Sequence, residues 1–181
     1  GGINFLSSMN DDALLTRIRS VVDDFVWATH DLSPESLHFQ LKETISGSEN
    51  WSIHQHLSHV VDLEKQVSLP LLRWLVLPGM LEPAPYSRKE WLADRYDHKL
   101  PSSHLIVELN RVREEEFQIL TEIPKENWYN LREASAWGPV TCQWVAELIY
   151  RHSLDHLHCI MAIIQECHLD AVISKESQLE S

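Results

Sequence analysis

The fold is decided by a stretch that reads WSIHQHLSHVVDLE over residues 51–64. Ser52 and Gln55 form the pattern of a capping box, in which the serine hydroxyl accepts from the helix backbone and the glutamine side chain reaches back. This pattern predicts that a helix begins at Ser52. The helical period places His59 on the side that faces a core, whereas His54 points about 140° away from it.

Three further helical patterns flank this stretch, without convincing strand alternation, and the chain has only 5 glycines in 181 residues. The four predicted helices cover residues 11–30, 52–69, 103–121 and 141–167. Asn10 is expected to cap the first, Pro70 to kink or end the second, and residues 46–48 to form a turn between them. The connection 78–101 suits parallel second and third helices, and a short helix is expected inside it. The sequence therefore predicts an all-α four-helix bundle with a long crossover between helices 2 and 3.

Two histidines on the fourth predicted helix, His152 and His156, are four residues apart. They lie about 40° apart around the helix axis, on the side that also carries Val145 and Ile149. Both imidazoles therefore face the bundle interior, where they are costly unless they are hydrogen-bonded or bind a metal. The same spacing lets two ligands reach one ion. Together with His59 they would form a three-histidine site with open positions for water or substrate.

The residues themselves leave open whether these histidines bind a metal or are hydrogen-bonded core groups. His56 is a weaker candidate ligand than His59, and we expect it at the edge of the helix. Cys159 follows His156 by one turn and fits a fourth ligand, a neighbour of the ligands or plain packing, which is the expectation. Three acidic residues are placed where a carboxylate could orient a ligand imidazole: Asp62, Glu64 and Asp155.

The stretch 51–64 resembles the second-helix motif of the DinB/YfiT-like superfamily, which places a metal-ligand histidine eight residues after a tryptophan. Residues 138–141, GPVT, and 151–156, RHSLDH, resemble its fourth-helix motif of glycine, threonine and paired histidines. The resemblance implies a bundle with up-down-down-up topology that binds a divalent metal through three histidines. Carried over residue by residue, the ligands are His59, His152 and His156. Relatives include transferases and isomerases in which the metal activates a low-molecular-weight thiol.

The chain is acidic, with 27 Asp and Glu residues against 15 Lys and Arg residues. No stretch supplies the basic patch that nucleic-acid binding requires, and anionic membrane surfaces are disfavoured for the same reason. Three scattered cysteines do not form a disulfide framework, and no signal peptide is visible, so we expect a cytoplasmic protein. Residues 1–9 are expected to be a tag remnant or disordered, residues 10–170 one DinB-like domain, and residues 171–181 a flexible tail.

The favoured hypothesis is a metal-dependent enzyme of the DinB-like class, a thiol S-transferase or hydrolase-like protein that acts on a small molecule. Zinc and nickel are the favoured ions, and iron and copper also bind imidazole. The competing hypothesis is a non-enzymatic bundle that binds a metal or small ligand, or acts through an interface. An apolar bundle is also compatible with a homodimer.

Aromatic and basic residues near the helix starts have two interpretations each. Trp51, Trp137 and Trp144 lie near the helices that carry the histidines, where they would line a ligand pocket or pack in the core. Four arginines lie near the connecting loops, and the sequence does not place any of them over the metal: Arg73, Arg88, Arg95 and Arg132.

Overall fold

Helices make up most of the chain in the computed structural model, which describes residues 2–42 and 50–181. The α-helices of this part are α1 (Gly2–Thr29), α2 (Pro34–His38), α3 (Ile53–Leu63), α4 (Leu69–Val76), α5 (Arg88–Glu90), α6 (Ser102–Glu122) and α7 (Cys142–Glu180). They are joined by π-helical turns at Glu64–Ser68 and Trp91–Arg95, a 3₁₀ turn at Lys125–Tyr129, and a hairpin of β1 (Arg132–Ala134) and β2 (Gly138–Val140). The turn predicted at residues 46–48 lies outside the described residues.

The two helices that carry the candidate ligands begin where the sequence predicts. Ser52 Oγ accepts from the backbone N–H of Gln55 at 3.1 Å, and the Gln55 side chain accepts from the backbone N–H of Ser52 at 2.8 Å. This is the predicted capping box. At the start of α7, Thr141 Oγ1 accepts from the backbone N–H of Trp144 at 3.0 Å. These caps satisfy backbone donors that the first turn of a helix otherwise leaves unpaired.

The second long helix passes through Pro70 instead of ending there. Helix α3 continues into the π-helical turn Glu64–Ser68 and then into α4, so that one rod extends to Val76. The backbone N–H of Leu69 bonds the carbonyl of Glu64, five residues back. Proline cannot donate a hydrogen bond and crowds the preceding turn, and a wider π-helical turn just before it relieves both problems.

The directions of the long helices follow from two hydrophobic clusters at opposite ends of the bundle. The first cluster contains Leu15, Leu72, Leu120 and Ile149, and the second contains Phe25, Leu57, Leu109 and Ile160. Helices α1 and α7 run from the first cluster to the second, whereas α3–α4 and α6 run the opposite way. Helices α1 and α3 each pack against both α6 and α7. The predicted up-down-down-up topology with parallel second and third helices is confirmed.

The ends of the outer helices differ from the sequence-based expectation. Helix α1 begins at Gly2, so Asn10 lies inside it and does not cap it. No proline or glycine interrupts the chain between Gly2 and Thr29, and the helix therefore has no local signal to begin later. Helix α7 continues to Glu180. The predicted domain limits stay predictions. None of the helices in residues 2–42 and 50–181 is long and apolar enough to cross a membrane.

Two small elements lie outside the four predicted helices. Ser33 caps the short helix α2, whose first residue is Pro34. In the connection before α7, β1 and β2 pair antiparallel, with Glu133 opposite Pro139. Strands of three residues are too short to show an alternating pattern in sequence. Gly138, with φ of 73°, adopts the left-handed conformation that β2 requires at its start.

A buried arginine joins all four long helices near the middle of the bundle. Arg113 on α6 donates to both carboxylate oxygens of Glu64 at 2.7 and 2.8 Å. It also donates to the carbonyl of Ile18 on α1 at 2.6 Å and to Ser153 Oγ on α7 at 2.8 Å. A second acid, Glu116, lies 3.7 Å from Arg113 Nε. Burial, followed by the charge of Glu64, raises the pKa of Glu116.

We predict that Arg113→Met lowers the free energy of unfolding by about 3–5 kcal/mol, because it leaves the buried Glu64 carboxylate without its partner. Urea denaturation followed by circular dichroism measures this loss. Arg111→Met is the matched control on the same helix. Arg111 bonds Glu108 and Glu115, but its side chain is 50% exposed, and we expect a much smaller loss because solvent screens these pairs. Equal losses in the two variants would contradict the structural role of Arg113.

Candidate metal centre

Three imidazoles converge between α3 and α7. One ring nitrogen from each of His59, His152 and His156 lies within 4.8 Å of the other two. The ring centroids are 5.1 Å apart for His59 and His152, 4.9 Å for His59 and His156, and 4.4 Å for His152 and His156. A tetrahedral ion with bonds of about 2.1 Å holds its ligand atoms roughly 3.4 Å apart. The predicted convergence is therefore present, and the donor set matches that of a metal site.

The three imidazoles are held in the neutral form that a metal requires. Burial lowers the pKa of His59 to about 4 and that of His152 to about 3, and the charge of Arg88 adds to both effects. Burial also lowers the pKa of His156, and the neighbouring histidines lower it further. At neutral pH each ring therefore keeps a nitrogen lone pair with which to bind an ion.

A hydrogen-bonded chain orients the first of these rings. The Tyr86 hydroxyl donates to Oδ2 of Asp62 at 2.9 Å. Because its single proton is used there, it accepts from Nδ1–H of His59, 3.2 Å away. Arg95 anchors the chain by donating to both oxygens of Asp62 at 3.1 and 3.0 Å. Nε2 of His59 is left as the ligand atom. Asp62 thus acts on His59 through Tyr86, and not directly as the sequence suggested.

A fourth histidine supports the third ring. His56 is 2% exposed, and its Nδ1 lies 2.8 Å from Nδ1 of His156. One of these atoms donates and the other accepts, and burial lowers the pKa of His56 to about 4. If Nδ1 of His156 is the donor, Nε2 of that ring is free for a metal. The prediction that His56 lies at the helix edge is wrong, because α7 covers a wider face of α3 than the helical period indicates.

Two tryptophans close one side of the histidine cluster. The ring of Trp51 lies 5.1 Å from that of His59 and 6.1 Å from that of His156. Trp91, from the π-helical turn after α5, lies 4.9 Å from His59 and 5.2 Å from Trp51. Both tryptophans are at most 4% exposed, so they exclude water from this side. Of the other tryptophans considered, Trp137 packs against the first hydrophobic cluster and Trp144 is 36% exposed.

The remaining candidates from the sequence lie outside the cluster or serve other partners. Among the described residues, the metal-ligating group consists of the three imidazoles, and Cys159 is half-buried beyond it. Asp155 is exposed, and Glu64 pairs with Arg113. His54 is buried on the far side of α3, where its ring nitrogens contact the Tyr96 hydroxyl and the Leu100 carbonyl.

The sequence reasoning missed Tyr86 and Trp91 as parts of the site. Both belong to the crossover between α4 and α6, which folds over the cluster. The only signal available was the presence of aromatic residues in a proline-rich connection beside a capping serine, Ser87. Helical periodicity says nothing about where such a connection lies in space.

The fold and the histidine cluster together define a class of protein, a four-helix bundle whose second and fourth long helices gather three imidazoles. The DinB superfamily pattern matches residues 5–160, and the chain belongs to this superfamily. Among solved structures, the chain is similar to one described as "YfiT from Bacillus subtilis is a probable metal-dependent hydrolase with an unusual four-helix bundle topology". The TM-score is 0.73 at 16% identity, with 87% of each chain covered, which shows a shared fold. No curated protein matches the chain.

We predict that Tyr86→Phe weakens zinc binding about tenfold, because the acceptor that holds Nδ1–H of His59 is lost. Competition with a chromogenic chelator measures the affinity. Tyr96→Phe is the matched control, since the Tyr96 hydroxyl contacts His54, which is not part of the cluster. Zinc affinity that is unchanged in Tyr86→Phe, or lowered equally in both variants, would contradict the orienting role of Tyr86.

Proposed function

We propose that the chain is a metal-dependent enzyme that binds one divalent ion through three histidines and acts on a small electrophilic molecule. The proposed ligands are His59, His152 and His156. The observation that carries this proposal is the convergence of three imidazoles, those of His59 and His156 buried and that of His152 partly buried, with no carboxylate or thiol in the described ligand group. Zinc and nickel suit this donor set best, and iron and copper also accept imidazole ligands.

The donor set favours a reactive site over a structural one. Structural zinc sites are closed by four protein ligands, whereas catalytic sites keep three and leave a position for water or substrate. When bound, the ion supplies Lewis-acid chemistry, lowering the pKa of a thiol or water so that it becomes a nucleophile near neutral pH. The reaction we favour is transfer of the electrophilic group of the substrate to a low-molecular-weight thiol. In hydrolysis, water takes the place of the thiol.

Residues of the protein itself fix the ligand rings in place and cover one side of the site. The series of hydrogen bonds from Arg95 through Asp62 and Tyr86 fixes the ring of His59. His56 restrains the ring of His156. Trp51 lies against both ligand rings and shields that side of the cluster from water, which strengthens electrostatic interactions there. Catalysis by such a site depends on ligands that are already in position before substrate arrives.

Metal analysis of protein purified without a nickel column tests the site. We expect one ion per chain in the wild type, and loss of that ion in His152→Ala because one of three ligands is missing. His158→Ala is the matched control, since His158 is exposed on the same helix. Retention of the ion in His152→Ala would show that the site is assigned to the wrong residues.

Turnover distinguishes the enzyme from a bundle that only binds metal. The wild type and His152→Ala, each offered zinc, are assayed with a set of low-molecular-weight thiols and a chromogenic electrophile, and for hydrolysis of that electrophile without thiol. We expect activity in the wild type that is lost on chelation and in the variant. Metal binding without turnover under every condition would favour the non-enzymatic alternative.

A further inference from the structure

The charges around the histidine cluster are unevenly balanced. Neutral imidazoles contribute no negative charge, so a bound divalent ion would keep its full charge of +2. The two acids on the same rod as His59 are already neutralised. Asp62 pairs with Arg95, and Glu64 pairs with Arg113. A negative charge at this site therefore has to come from whatever the site binds.

Arg88 adds a further positive charge beside the cluster. Its side chain is exposed, and its guanidinium carbon lies 5.1 Å from the ring centroid of Trp51, which is itself 5.1 Å from the ring of His59. Among the described side chains (residues 11–42, 50–168, 172–173 and 175–181), no carboxylate lies within 4 Å of this guanidinium, whereas Arg95 pairs with Asp62 and Arg113 pairs with Glu64.

Trp51 itself carries a polar group without a partner. The residue is 4% exposed, and its indole Nε1–H has no hydrogen-bond acceptor in the described part of the chain. A buried donor left unpaired costs about 1–3 kcal/mol, and native proteins rarely leave one without a reason. This donor belongs to the residue that lies between Arg88 and the histidines.

We propose that Arg88 and the indole N–H of Trp51 recognise an anionic group, a carboxylate or phosphate, on a small molecule that reacts at the histidine cluster. This inference rests on the proposed function and deepens it by naming the class of substrate. A guanidinium is suited to such groups because it presents several N–H donors in one plane, and the indole N–H supplies a further donor. An anion there also offsets the surplus positive charge of the loaded site.

Either of the two reactants could carry this anionic group. It belongs either to the thiol that serves as nucleophile or to the electrophile that accepts it. The cobalt-substituted protein separates these sources, because thiolate ligation gives a near-ultraviolet charge-transfer band and the visible bands report on the cobalt environment. Neither readout requires turnover.

In the first arm, mercaptoacetate and 2-mercaptoethanol are titrated into the cobalt protein. The two thiols are similar in size and differ by one carboxylate. We expect mercaptoacetate to bind more tightly, and Arg88→Gln to reduce that preference about tenfold, equivalent to one charge-assisted hydrogen bond. Trp51→Phe, which keeps an aromatic ring but removes the N–H, is expected to reduce the preference about threefold. Lys89→Gln, an equal charge change on the neighbouring exposed residue, should leave it unchanged.

In the second arm, succinate is titrated into cobalt protein saturated with 2-mercaptoethanol. A change in the visible bands that requires Arg88 and leaves the thiolate band in place assigns the anion to the electrophile. If only the first arm depends on Arg88, through the preference for mercaptoacetate over 2-mercaptoethanol, the anionic group belongs to the thiol. Both results support the proposal. An intact cobalt spectrum with no dependence on Arg88 in either arm overturns it, whereas failure of the wild type to bind cobalt overturns the proposed function and this inference together.

Discussion

The pairing of Arg113 with Glu64 is the constraint on which the rest of the structure depends. One guanidinium on α6 contacts the rod of α3 and α4, the backbone of α1 and the side chain of Ser153 on α7. Glu64 follows His59 by five residues, and Ser153 directly follows His152. Fixing these two contacts fixes the register of α3 against α7, which is what brings the candidate ligands to the same level. Removing either partner of such a buried pair leaves an uncompensated charge in the interior, which is strongly destabilising.

The centre of the bundle contains a group of buried polar residues. Arg113 pairs with Glu64 and lies beside a second acid, Glu116, whose pKa is raised by burial. The histidine cluster begins one turn away and is kept neutral by burial. Four neutral rings in an apolar interior are costly unless their nitrogens have partners. The Tyr86 hydroxyl pairs with Nδ1 of His59, and the Nδ1 atoms of His56 and His156 pair with each other. A metal ion would bind one further nitrogen on each of His59, His152 and His156.

Much of this arrangement could be predicted from the sequence, because helical periodicity is a local property. Spacing alone placed His152 and His156 on the inner face of α7, and the capping box placed His59 on the inner face of α3. The contributions of Tyr86 and Arg88 could not be predicted, since both come from the crossover between α4 and α6, whose path over the bundle depends on tertiary packing. His56 was misjudged for a related reason, because the width of a buried face depends on the partner helix and not on the helix itself.

The central claim is that one ion binds where the three imidazoles converge. Anomalous X-ray diffraction at the zinc edge, from crystals grown with zinc, tests it most directly. The account predicts a single strong peak per chain, about 2.1 Å from one ring nitrogen of each of His59, His152 and His156. A peak at other histidines, such as the stacked pair His38 and His54, with none at the cluster, would contradict it.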